Sequence, residues 1–512
     1  MIVDSVMGSR GVMLVVVLML AGCVQPRASF REGQGSAPPP SREGAGPVAA
    51  TAPEASAASD TVHTSSSQNG PQTEESAPTV ALGSSPDFGD APVETIDFLS
   101  ALRLASRKTI DVAILRERLE IAKANLDEVT ALFLPRLQVG GGYMRHDGRL
   151  QQTRGDVFDV TRSSLGAVPH VEFSVDPGGA YFERLSRKQL VEAASHGEVR
   201  TQAESMVRAA MYYYDLVEAL AMVSVARESM AHTTAQVELN QSLVEVEAAL
   251  RVNLVRAQAE LARDEGELHA LLHVLRKSSN ALATWLRLPP QTVLRPAEDR
   301  IKPLPLVDTE RGAVALVESA LARRPDLHEL EALRAAANEA VSGARWTPWL
   351  PEVSLFAGYG VYGGGRSGFV GDFGDRFDAG AGITWTFDGL GFVDAARVRR
   401  ARAEANEASL RLAGLREQIA ADVINNFERI RSLQALSAAA RSRIRAAEEA
   451  LELVRARAQA GDAIQIEILD AIRDLAQARA QLVRSITDFN RVHYLLFYQV
   501  EGSAWSDETA RR

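Results

Sequence analysis

The ordered part of the chain is written twice, and that repeat constrains its architecture more than any other feature. Leu134-Pro135-Arg136-Leu137-Gln138-Val139-Gly140-Gly141-Gly142-Tyr143 corresponds to Leu350-Pro351-Glu352-Val353-Ser354-Leu355-Phe356-Ala357-Gly358-Tyr359, 216 positions later. Phe173–Asp176 corresponds to Trp385–Asp388, 212 later, and Leu250–Ala257 to Ile464–Ala471, 214 later. Three matches in one order at nearly one offset indicate a tandem duplication of about 210 residues. Each copy reads helix, strand, strand, long helix, turn, helix. The first repeat spans residues 93–300, with a β-hairpin at 136–176 and a helical tip near 247–253. The second spans 301–500, with a hairpin at 351–388 and a tip near 460–466; residues 501–512 form a C-terminal tail.

Strands are read from period-two alternation. Val353, Leu355, Ala357, Tyr359 and Val361 share one face and Ser354, Phe356, Gly358 and Gly360 the other. Ala381, Ile383, Trp385 and Phe387 oppose Gly380, Gly382, Thr384 and Thr386 in the same way. Leu137, Val139, Gly141 and Tyr143, and then Val171, Phe173 and Val175, repeat the scheme in the first copy. Strands of roughly 8–11 residues suit a tilted membrane-crossing β-strand. Polar, glycine-containing loops are expected at about 147–167 and 364–376. Helices are read from the absence of proline between Pro177 and Pro289 and after Pro351. From Phe392 to about Ala460 the chain is nearly unbroken Ala, Arg, Glu and Leu, strong helix formers that make a rod on the order of 100 Å. Asp176-Pro177 and Asp388-Gly389 read as N-caps. Tyr212, Tyr213 and Tyr214 are expected to pack near the junction of strands and helices.

The first 22 residues read as a signal peptide: an apolar run, Gly11–Leu20, too short to span a bilayer, ends in Leu20-Ala21-Gly22-Cys23. That sequence looks like a lipoprotein lipobox, so Cys23 is the expected lipidation site. As the sole cysteine it excludes an intrachain disulfide and a cysteine zinc site. Residues 23–92, rich in Ser, Ala, Pro, Gly, Thr and Glu, read as a lipidated disordered tether. The net charge of −10 argues against a nucleic-acid partner. Gly358–Gly363 satisfies G-x-G-x-x-G but lacks the helix a dinucleotide site needs. His269 and His273 have metal-compatible spacing without an evident third ligand. No enzyme activity, cofactor or metal is expected.

Four strands per chain do not close a barrel, and an open edge in lipid leaves backbone groups unpaired at several kcal/mol each. A membrane reading therefore requires several copies to pool strands, continued by a long helical tube.

Over residues ~94–500 the chain resembles the TolC-like outer-membrane efflux proteins, the outer membrane factors, and the lipobox resembles their lipoprotein branch. The resemblance rests on Ala322-Arg323-Arg324-Pro325-Asp326-Leu327, Trp349-Leu350-Pro351 leading into Gly358-Tyr359-Gly360, and Trp385–Gly389. It rests also on Leu250–Glu260 and on Gly461 followed by Glu467-Ile468-Leu469-Asp470-Ala471. It implies a mainly α chain with membrane strands, assembled as a homotrimer: a twelve-stranded barrel in the outer membrane and a twelve-helix barrel through the periplasm. Residues ~289–312 and those after Glu501 would join an equatorial belt. Glu467 and Asp470 match the family's acidic pair at the periplasmic aperture, where six carboxylates would attract cations and raise one another's pKa. The tips, Ala248, Ala249, Leu250 and Arg251 with Ala460, Gly461, Asp462, Ala463 and Ile464, would dock a periplasmic adaptor (membrane fusion) protein linked to an inner-membrane pump. Glu247 stands where the family has Gly, and Asn253 where it has Asp. The implied function is an exit duct for small molecules such as drugs or toxic compounds. A conduit for type I protein secretion and a lipid-anchored periplasmic coiled-coil adaptor are the alternatives.

Overall fold

The computed structural model describes residues 79–83, 92–289, 291–366, 369–459 and 464–502. The signal peptide, Cys23 and tip residues Ala460, Gly461, Asp462 and Ala463 lie outside the described residues.

Both copies open with a broken helix. In the first, α1 (Phe98–Lys108) is capped by Asp97, whose carboxylate accepts from the Ser100 N–H at 3.2 Å. Thr109 then turns extended before α2 (Ile110–Ala131). In the second, α5 (Gly312–Arg323) ends at an equally extended Arg324, and α6 (Pro325–Trp346) starts on a proline, where the missing N–H breaks no helical bond. With the elements in between, β1 (Val80–Ala81) and β2 (Val93–Ile96) precede α1, and β7 (Val293–Pro296) and β8 (Arg300–Ile301) precede α5.

The strands form one antiparallel sheet of four arms. The first arm is β3 (Arg136–Gln138) with β4 (Gly141–Gln151), and the second is β5 (Val157–Ala167) with β6 (His170–Val175). β9 (Glu352–Arg366) is the third and β10 (Gly371–Thr384) the fourth. β9 pairs with both halves of the second arm on one side and with β10 on the other, so the arms lie in chain order and the first and fourth are edges. The loops expected at 147–167 and 364–376 are mostly strand. The first hairpin turns tightly, Gln152 N–H to Asp156 O and Gly155 N–H to Gln152 O, with Gly155 at φ 96°. The reason is that polar residues continue the alternation: Asp159, Thr161 and Ser163 extend one face of β5, and Val160 and Arg162 the other.

Four helices build the shaft: α3 (Pro177–Glu245), α4 (Arg251–Trp285), α7 (Phe392–Gln459) and α8 (Gln465–Glu501). At about 1.5 Å per residue the 69 residues of α3 make a rod near 100 Å. Asp176 caps α3 as expected, its carboxylate accepting from the N–H groups of Gly178 and Gly179 at 3.0 Å. Asp388 does not act as its counterpart: it opens a 3-10 turn (Asp388–Gly391) in which Gly389 and Leu390 are left-handed, and its carboxylate binds Arg397 of α7 at 2.7 Å. α3 packs on α2, α4, α6 and α8, and α7 on α5, α6 and α8. No described helix is long and apolar enough to cross a membrane.

A belt girdles the shaft partway along. β2 pairs in parallel with β7, and β1 pairs antiparallel with β8. Thus the tether expected to run to residue 92 is pinned earlier, at Val80–Ala81, and Leu82 is buried with Phe98, Tyr213 and Tyr214. Leu82, with half-buried Val80 packed against the same core, supplies the burial that the rest of that composition lacks. The tyrosines likewise belong to the belt, not to the strand–helix junction. Phe98 meets Tyr213, Tyr214 and Tyr494 at 5.4, 5.3 and 5.5 Å between ring centroids, and Tyr212 meets Trp285. Residues 302–306 are stitched to α8. Asn490 accepts from the Leu304 N–H and donates to Lys302 O, and the Leu306 N–H donates to His493 Nδ1.

Candidate functional site

Period two and the strand register sort the sheet into two faces. Tyr143 lies opposite Leu165, Phe173 opposite Leu355, Tyr359 opposite Phe377, and Leu355 opposite Ala381, so Leu137, Val171, Val353, Val361 and Ile383 share their face. This apolar face is uncovered: Tyr359 is 61% exposed and Phe377 67%. Trp349, Trp385 and Phe387 gather at its helical end, with Trp349 and Phe387 edge to face. The other face carries Gly142, Ser164, Gly166, Ser354, Gly358, Gly360, Gly380 and Gly382 among charged residues. Glycine is required at Gly360, where a Cβ would sit 2.2 Å from Ala167 O, too close for any side chain. The sequence motif Gly358–Gly363 is therefore a stretch of β-strand, as its lack of a following helix implied.

The tip joining α3 to α4 is a Schellman motif. Ala248 N–H bonds to Leu243 O at 2.8 Å and Glu247 N–H to Val244 O at 3.1 Å. Glu247 holds the left-handed position at φ 57°, so a glutamate adopts the turn expected of glycine. Leu250 N-caps α4 through its backbone alone and is 71% exposed. Ala248 and Arg251 are also exposed and Ala249 is half-buried, while Ile464 at the start of α8 is exposed.

One turn into α8, Glu467 lies 3.4 Å from Arg457 of α7, and Asp470 lies 2.9 Å from Arg473. Arg473 also binds Glu260 of α4 at 3.0 Å, a bond that pushes its guanidinium above the usual arginine range. Beside it the buried Asp264 accepts from Thr233 of α3 at 2.8 Å. Within one chain each acidic residue of the expected aperture pair is thus countered by an arginine, Asp470 by one three positions along its own helix and Glu467 by one from across the tip. Behind them Leu451, Ile468, Ala471, Ile472 and Leu475 zip α7 to α8. Among the described residues no cluster of His, Cys, Asp and Glu fit for a metal ion occurs.

Known proteins share this fold. Residues 316–488 match the model of a family described as outer membrane efflux protein. The fold is that of the outer-membrane channel OprN (TM-score 0.68, 20% identity, 85% of this chain and 99% of that one). It is shared with the outer membrane protein VceC of Vibrio cholerae (0.67, 18%, 80% and 97%) and the CmeC outer membrane channel of Campylobacter jejuni (0.64, 15%, 87% and 96%). No curated protein sequence matches the chain. From α5 into α8 the chain is thus similar to the outer membrane efflux protein family, and it shares the fold of these outer-membrane channels.

Proposed function

We propose that three copies of this chain close a twelve-stranded barrel in the outer membrane, continued by the helical shaft, as the exit duct of a tripartite export system for small toxic molecules. The observation that carries the reading is the four-armed sheet, which has an uncovered apolar face and two unpaired edges. Unpaired backbone groups cost several kcal/mol each in hydrocarbon, so the sheet is compatible with lipid only when β10 of one copy meets the first arm of the next. The exposed outer side of α7, with Leu410, Ile424, Leu436 and Leu453, supports the same closure along the shaft. Acyl chains on Cys23 anchor the duct. The tips at Ala248–Arg251 and 460–464 meet an adaptor protein, which couples the duct to a pump. Glu467 and Asp470 then ring the narrow periplasmic end, with Arg457 and Arg473 moderating the field of the ring.

Purified protein in detergent is expected to run as a trimer and to conduct in planar bilayers. Glu467→Ala with Asp470→Ala is expected to raise single-channel conductance and weaken cation preference. A monodisperse monomer with native helix content, or a trimer that never conducts, refutes the duct.

A further inference from the structure

The polar face of the sheet holds a row of basic side chains that no described residue neutralises. In the strand register His146 lies opposite Arg162, and Arg162 opposite Arg366. Directly opposed residues project to the same face about 5 Å apart, so the three form a ladder across three arms. Three other barrel arginines are ion-paired: Arg145 binds Asp147 at 2.7 Å, Arg149 lies 3.7 Å from Asp159, and Arg376 binds Asp378 at 2.7 Å, while Arg136 stands directly opposite a carboxylate, Glu172, in the register. Among the described residues neither Arg162 nor Arg366 has an ion-pair or hydrogen-bond partner. His146 Nε2 is shut from solvent without a partner. Like charges placed directly opposite destabilise a sheet, so a ladder without a counter-charge calls for one from outside the chain.

Position follows from the register. The row lies three residues, about 10 Å, beyond the Tyr143–Leu165 pair of the apolar face, toward the turn at 152–156 and away from the helices. If the polar face lines the duct, which is the reading proposed above, the row stands inside the outer mouth, past the hydrocarbon. Three copies bring six arginines and three histidines to one level.

We propose that this collar is a binding and selection site for small anions, bearing carboxylate, phosphate or sulfate groups, at the exit of the duct. Guanidinium groups suit these ligands because their planar donors bond two oxygens at once. The collar concentrates anions at the outlet, opposite in sign to the Glu467–Asp470 ring at the other end. One unit charge about 10 Å from an ion in water changes the ion's local concentration about twofold.

The test uses the full-length protein in planar bilayers under a salt gradient, comparing wild type with Arg162→Ser/Arg366→Ser and with Arg162→Lys/Arg366→Lys. Inositol hexakisphosphate, added to the side of the strand turns, is the anion probe. The serine pair is expected to lower the chloride-to-potassium permeability ratio at least about twofold. It should also abolish block by the probe, while the lysine pair keeps the permeability ratio and weakens block. In wild type the block should fade at high salt. If the serine pair does not assemble, Arg366→Ser alone is expected to give part of both effects. Unchanged ratio and unchanged block in a conducting serine variant overturn the collar and leave the duct standing. A wild type that never conducts overturns the duct, and the collar with it.

Discussion

His493 couples the belt to pH. It is 1% exposed on α8, in contact with the Phe489 ring at 4.3 Å between centroids, and its Nδ1 accepts from the Leu306 N–H at 3.4 Å. Burial alone pushes its pKa from 6.5 down to about 4. Protonation costs twice over: it sets a charge among apolar groups, and it turns the Nδ1 acceptor into a donor facing another donor. Because the folded pKa lies below the unfolded one, the unfolded chain binds more protons between pH 6.5 and 4. The stabilisation is therefore complete above pH 6.5 and falls away as pH drops through that window. At about 1.4 kcal/mol per pH unit, the loss is about 2 kcal/mol at pH 5 and about 3 kcal/mol below pH 4, per chain. The segment that should loosen is 302–306, which His493 and Asn490 hold. Hydrogen exchange read on peptides covering 300–306 and 488–495, corrected for the intrinsic pH dependence, should show protection falling as pH drops from 7 to 5. His493→Phe fills similar space and cannot titrate. It should be weaker at pH 7 by about 1 kcal/mol, for the lost acceptor, yet flat in pH. If that variant keeps the wild-type pH dependence, the reasoning about His493 is wrong.

Three further outcomes follow from particular side chains. Glu247→Gly relieves a left-handed non-glycine at the tip. The relief of about 1–2 kcal/mol, less glycine's entropic cost, should slow local opening of residues 243–250 in hydrogen exchange by a net of about 0.5–1 kcal/mol. Leu355→Arg puts a charge on the apolar face between Phe173 and Ala381, costing about 2–4 kcal/mol per chain. Ser354→Arg on the opposite face should be tolerated, and equal yields of assembled, heat-modifiable protein from both variants would contradict the assignment of faces. Arg473→Ala frees Asp470 and leaves Glu260 to Arg263 alone. It should strengthen cation preference in bilayers, opposite to removal of the carboxylates, with a stability change of about 1 kcal/mol because Asp470 is exposed and the more buried Glu260 keeps its pair with Arg263.

Much of this architecture was legible because it rests on local periodicity. Alternation over 353–361 and 381–387, and the long proline-free runs, require only the spacing of side chains along one segment. The hairpin turns were misread because the outer halves of β4 and β5 carry polar residues on both faces, which look like loop until a partner strand satisfies their backbone. The break after α1 had no signal beyond Thr109, whereas Pro325 marked its counterpart. Glu247 adopts the left-handed turn because two backbone hydrogen bonds of the Schellman motif outweigh its steric cost, a balance no residue type announces. Asp388 looked like Asp176, but Leu390 in the left-handed region diverts the chain and gives its carboxylate to Arg397.

Charge was the least legible level, since it depends on contacts between segments far apart in the chain. The resemblance to the efflux family singled out Glu467 and Asp470, three positions apart on one helix. It did not show that Arg457, ten residues earlier across the tip, and Glu260, on a helix of the other copy, would enter the same network. Arg162 and Arg366 stand 204 positions apart and become neighbours only because the second arm of the first hairpin pairs with the first arm of the second. The duplication has no internal reason to join the hairpins in that register, and Gly360 and Ala167 fix it by a close approach that admits no side chain. Compensated acids near the tips and uncompensated bases near the turns are therefore two products of one arrangement. Side chains on a single helix or strand are sorted by period, while the sign of each end is set by which copy of the repeat lies against the other.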